Sequence, residues 1–155
     1  MNLAEIEHAL PWGMHDAHFE RIEIDWPQAK MSLTLRLMMT KEQDMDQRAR
    51  IDVSGLVYCS IDAPMLDSRA GYEPTPSSGL WVVCGEGAAD DASRARLPVT
   101  PAGCFLHWFF VEDWNRCIHV CGRDAELVWL EPAPVASRSG APALFPGDEV
   151  PESGS

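Results

Sequence analysis

The stretch from Met31 to Met39 constrains this chain more than any other. Met31, Leu33, Leu35, Leu37 and Met39 fall on one side of a period-two pattern, and Ser32, Thr34, Arg36 and Met38 on the other. Strand side chains alternate with period two and helical ones with period 3.6, so this run buries its apolar set only as a strand with one face against a core. Just upstream, Ile22, Ile24 and Trp26 alternate with Arg21, Glu23 and Asp25, and Pro27 to Lys30 supply a turn. Two such runs joined by a short turn make a hairpin. Ile51, Val53, Gly55, Val57, Cys59 and Ile61 then alternate with Arg50, Asp52, Ser54 and Ser60, extending the meander by a third strand. Leu56 and Tyr58 interrupt its polar face, so both faces are expected to be covered near its end.

The remaining elements follow from punctuation and composition. Asn2, with Glu5 three residues on, predicts a capped helix running to Leu10, where Pro11 ends it. Residues 63–79 hold Pro64, Pro74 and Pro76 and form a long excursion of the kind that often carries function. Leu80 to Cys84 is a short apolar strand, followed by an acid-bearing loop from Gly85 to Ala95. Cys104–Val111, Cys117–Cys121 and Glu126–Leu130 read as three more strands, joined by turns short enough to make them antiparallel neighbours. The expected fold is mainly β: antiparallel meanders forming a β-sandwich or a partly open barrel, with a short N-terminal helix. Residues 1–131 form one domain, and 132–155, rich in proline, form a tail that does not repay the entropy of ordering.

Charge and cysteine usage bound the function. A formal charge of −12 repels phosphate backbones, which excludes nucleic acid and favours either plain solubility or a basic protein partner. The start Met1-Asn2-Leu3-Ala4-Glu5 carries acid where a secretory signal carries Lys or Arg, and the longest apolar run, Cys104 to Val111, is far shorter than a membrane span. Five cysteines, mostly inside apolar runs, read as reduced thiols used as small hydrophobes, which points to the cytoplasm. The sequence does not speak to oligomeric state.

Chemistry-bearing residues are few. Cys117, His119 and Cys121 share one strand face, but Cys117 and Cys121 sit four residues apart at roughly 3.3 Å per residue, too far to ligate one zinc without a bulge. A zinc site is instead drawn from His107, His119 and Cys121, which requires the hairpin register that sets His107 across from Cys121. The register shifted by one sets Trp108 opposite His119, and the alternative reading is then small thiols and a hydrogen-bonded core histidine. In His15-Asp16-Ala17-His18, Asp16 either lies between two histidines on one side of a turn or caps the turn before the first strand. Trp26, Trp81, Trp108 and Trp129 fall within strands and read as core. Trp114 lies in an acidic turn, where an exposed ring suits a partner and packing into the core is the alternative. No nucleophile elbow, Walker loop, dinucleotide fingerprint or Cys-x-x-Cys pair is present, so enzymatic chemistry has no motif behind it.

His15-Asp16-Ala17, followed by Ile22, Ile24 and the alternating hairpin, resembles the N-terminal part of small bacterial β-rich domains that include immunity proteins of polymorphic toxin systems. That resemblance implies a non-enzymatic binder whose acidic surface blocks a basic partner. The residues themselves make Asp16, Glu23, Asp25 and Trp114 the candidate contacts with such a partner. The alternatives are a small metal-dependent hydrolase using His15, His18, His107 or His119, and a small-molecule binder with a pocket between strands.

Overall fold

The computed structural model describes residues 1–39, 46–63 and 80–131. The Pro-rich tail and most of the Pro-rich excursion lie outside the described residues. Helix α1 (Leu3–Ala9) opens the chain, closed at its start by a reciprocal capping box. The Glu5 N–H donates to Asn2 Oδ1 at 2.8 Å, and the Asn2 N–H to Glu5 Oε2 at 2.7 Å. Leu10, extended before Pro11, ends it as expected.

Among the described residues eight antiparallel strands follow: β1 (Ala17–Asp25), β2 (Lys30–Met38), β3 (Asp46–Ser54), β4 (Tyr58–Ile61), β5 (Leu80–Glu86), β6 (Phe105–Val111), β7 (Arg116–Gly122) and β8 (Asp124–Trp129). They form one sheet in the order β4, β7, β6, β5, β1, β2, β3, β8. Chain continuity rolls that sheet. β4 continues β3 across residues 55–57, β8 continues β7 across Arg123, and the two bent strands pair along both legs, β3 with β8 and β4 with β7. The expected third strand is therefore two, broken where Gly55 takes a φ of +59° against the Arg123 side chain. A Cβ at Gly55 would sit 3.0 Å from that side chain. The result is the partly open barrel anticipated from the meanders.

The interior is the period-two face read from the sequence. Met31, Leu33, Leu35 and Leu37 of β2 are fully buried beside Ala49, Ile51 and Val53 of β3. Apart from Ala49, each such side chain contributes roughly 1.5–3 kcal/mol. On β1 a bulge at Glu20 shifts the register between Phe19 and Arg21, so that Phe19 and Ile22 both face inward although their spacing is odd. α1 packs against β8, β5 and β6 and closes the opening of the roll with Leu3 and Ile6. Among the described residues no helix is long and apolar enough to cross a membrane.

A second helix, α2 (Asp91–Arg96), stands where the sequence reads as a loop. Asp90 caps it by accepting the Ser93 N–H at 2.6 Å, with Asp91 in its first turn and Arg94 and Arg96 in its last. The tryptophans also depart from expectation. Trp26 is 60% exposed at the hairpin tip, Trp81 lies over His18 with ring centroids 3.9 Å apart, and Trp108 faces the outside of the barrel. Of the four, Trp129 packs against the core.

Candidate functional site

The β6–β7 hairpin decides which side chains can meet. The 3-10 turn over Glu112–Trp114, with Asn115 left-handed at its end, sets Trp108 opposite His119 and His107 opposite Val120. Adjacent residues on a strand point to opposite faces, so His107 turns inward while His119 and Cys121 turn outward. His107, His119 and Cys121 therefore do not converge on one ion. The hairpin adopts the shifted register, because the turn length, and not the chemistry of the side chains, selects it.

The outward face of β6 and β7 is covered by α2 and the segment around it. The Ala89 N–H donates to His119 Nε2 at 3.3 Å, and the Tyr58 hydroxyl donates to the Pro98 carbonyl at 3.2 Å. Burial lowers the His119 imidazole below its ordinary value, with Asp62 opposing, which keeps the ring in the neutral form that accepts this bond. Arg96 reaches Asp62 just beyond β4 at 3.5 Å, tying α2 to the sheet edge.

Between α2 and the sheet lies a cleft of about 720 Å³. Trp108 and Phe110 of β6 and Arg116 and Cys117 of β7 line it from the sheet, Asp62 from the end of β4, and Asp90 and Arg96 from α2 and its cap. Trp108 lies directly across from Gly85 of β5, where an added Cβ would come within 2.6 Å of the indole ring. Glycine there lets the ring lie down on the strand. The volume falls in the range of small-ligand sites, and the mixture of aromatic surface with carboxylates is what such a site needs to orient a cation.

The residues expected to contact a partner are scattered. Asp16 sits on the turn before β1 with a φ of +60°, its carboxylate 3.0 Å from His15 Nδ1. His15 is exposed and His18 buried, so the two histidines do not share a site. Glu23 pairs with Arg21 at 2.8 Å, and the Asp25 carboxylate accepts the Gln28 N–H within the hairpin turn. Trp114 is half-buried, packed against the core from the 3-10 turn. The outer face of β1, β2 and β3 carries a lattice of paired charges. Glu20 accepts from Arg36 Nε and Arg48 Nε, each at 2.7 Å, and Asp52 is held by Arg50 and by the Ser32 hydroxyl.

On the inner face the structure assembles a group that sequence spacing conceals. The ligand-capable atoms of Glu7 on α1, Cys84 on β5 and His107 on β6 all lie within 4.8 Å of one another. His107 Nε2 is 3.8 Å from Glu7 Oε2, and among the described residues neither ring nitrogen of this 1% exposed histidine has a hydrogen-bond partner. A buried polar group left unpaired costs about 1–3 kcal/mol. Burial brings its imidazole down to about 4, and burial together with Glu7 drives the Cys84 thiol far up. All five cysteines are free thiols. No protein-family model, curated protein or solved structure matches the chain.

Proposed function

We propose that this chain is a non-enzymatic, cytoplasmic binding protein that seats a cationic segment of a basic protein partner in the cleft beneath α2. The observation that carries this reading is the aromatic floor of the cleft, Trp108 and Phe110, flanked by the Asp62 and Asp90 carboxylates and by Arg96 and Arg116, in a chain of net charge −12. An Arg or Lys side chain placed against an indole face gains roughly 0.5–2 kcal/mol, and nearby carboxylates add charge complementarity and speed encounter. The Asp62–Arg96 pair at 3.5 Å has an exposed Arg96, and such pairs are worth at most about 1 kcal/mol, so an incoming cation can take Arg96's place. Such a partner is the kind that the immunity-protein resemblance implies, and the five free thiols support a reducing compartment.

The test is titration of the full chain with a blocked hexa-arginine peptide and, as control, a hexa-glutamate peptide, followed by NMR. Saturable shifts are expected at the Trp108 indole N–H and the Ala89 and Ser93 amides. They should weaken with salt and in Asp62→Asn and Asp90→Asn, the latter keeping a side chain that still caps α2. Shifts that are absent, or indifferent to both substitutions, overturn the reading.

A further inference from the structure

The inner group Glu7, Cys84 and His107 answers to a different chemistry. Cys84 stands opposite Phe109 and His107 opposite Glu86, so the cysteine and histidine are diagonal neighbours on the same inward face of β5 and β6. Glu7 reaches them from α1, which lies across those two strands. Sulfur, imidazole nitrogen and carboxylate oxygen thus come together from three elements that are distant in sequence.

Two uses of such a trio are open, and the surroundings separate them. A Cys–His pair working as nucleophile and base needs a thiolate, or an imidazole basic enough to make one. Here the Glu7 carboxylate stands 3.8 Å from His107 Nε2, beyond hydrogen-bond reach, so it does not orient the ring as the third member of a catalytic group would. All three donors converge within 4.8 Å, and a bound cation uses them together, because it takes the place of the thiol proton and accepts an imidazole lone pair. It also supplies a partner for a His107 nitrogen that has no hydrogen bond among the described residues, and a buried polar group of this kind calls for an explanation such as an ion.

We propose that Glu7, Cys84 and His107 are a three-ligand centre for Zn²⁺. A thiolate, an imidazole and a carboxylate form a borderline-soft donor set suited to zinc, not to the oxygen-only shells of calcium or magnesium. Tetrahedral zinc with ligand bonds of about 2.0–2.3 Å sets donors about 3.4 Å apart. The present separations of at most 4.8 Å exceed that spacing by little more than about 1 Å, within the reach of side-chain rotation. Three protein donors leave a fourth position for water, and the Glu7 side chain, 26% exposed, gives solvent a route to it. On binding, the Cys84 S–H gives its proton to buffer and the sulfur lone pair to the metal, so each ion bound releases one proton. Among the described residues the second His107 nitrogen has no acceptor to orient the ring, so binding should be weaker than in structural zinc sites, where such partners are the rule.

The experiment uses the full chain stripped with chelator and dialysed. Zn²⁺ is titrated against a chromophoric chelator, proton release is measured by calorimetry in buffers of different ionisation enthalpy, and Co²⁺ is added as a spectroscopic probe. The expected result is one equivalent of Zn²⁺, about one proton released, and a thiolate-to-cobalt charge-transfer band. Cys84→Ser should abolish the band and weaken Zn²⁺ at least a hundredfold, and Glu7→Gln at least tenfold, while His119→Gln and Cys121→Ser leave binding unchanged. Glu7 and Cys84 are only half-buried, so these variants are expected to keep the fold, with circular dichroism as the check. Failure to bind Zn²⁺, unaltered binding in both Cys84→Ser and Glu7→Gln, or loss of binding in His119→Gln overturns the proposal. None of these outcomes bears on the cleft beneath α2.

Discussion

Gly85→Ala tests whether the Trp108 ring is held down by the absence of a side chain across from it. The new Cβ would lie 2.6, 2.8 and 2.9 Å from Cζ2, Cε2 and Nε1 of the indole. All three belong to one rigid ring, so the clash is relieved only by lifting the whole ring off β5. Overpacking of this kind costs about 1–3 kcal/mol, and the entropy gained in replacing a strand glycine returns about 0.5–1 kcal/mol. The expected net loss is about 1–2 kcal/mol. At this chain length each kcal/mol lowers Tm by about 2–4 °C. The assay is urea denaturation followed by circular dichroism, for Gly85→Ala, Trp108→Ala and the double variant. With the ring gone, Gly85→Ala should become neutral or stabilising, giving a coupling energy of about 2 kcal/mol. Additivity within about 0.5 kcal/mol would refute the reasoning, because it would mean the ring is not resting on Gly85.

Leu33→Ala removes a fully buried side chain from β2 and should cost about 2–5 kcal/mol in the same assay, whereas the exposed Arg21→Ala should stay within about 0.5 kcal/mol. His107 is held at about 4 against 6.5 when exposed, so below pH 6.5 the unfolded chain takes up the proton first and the native state loses stability until about pH 4. Between pH 7.5 and 5.5 the metal-free chain should lose about 1.4 kcal/mol through this group, and His107→Gln should lose that much less; equal losses in the two proteins would contradict it. Burial pushes the Cys59 thiol up to about 11, so at pH 8 its iodoacetamide labelling, read by peptide mass spectrometry, should be on the order of a hundredfold slower than that of an ordinary thiol near 8.5.

Much of the scaffold was legible because local rules and tertiary burial agree. The alternation of Met31 to Leu37 demands a strand with one dry face, and β2 is that strand, its inward set fully buried. Asn2 and Glu5 announce α1, and Pro11 closes it. Where propensity was weak the sequence misled. Asp90-Asp91-Ala92-Ser93 reads as loop, yet the acids at the start and Arg94 and Arg96 at the end are the charge order a helix dipole favours, a signal present but short. Trp26 continues the alternation of Ile22 and Ile24 but falls beyond β1, on the turn, where period two no longer applies.

The sequence by itself determined the antiparallel strands, the capped helix, the acidic balance and the inward residues of β2 and β3, since each follows from periodicity or charge within a few neighbouring residues. Tertiary structure alone decided the bulge at Glu20, the roll of the sheet through Gly55, the register that parts His107 from His119, and the meeting of Glu7, Cys84 and His107. The physical reason is that a one-residue change in a turn or bulge inverts which face every later side chain takes. Such a change alters local energies too little to be read from composition, and it decides which distant residues can touch.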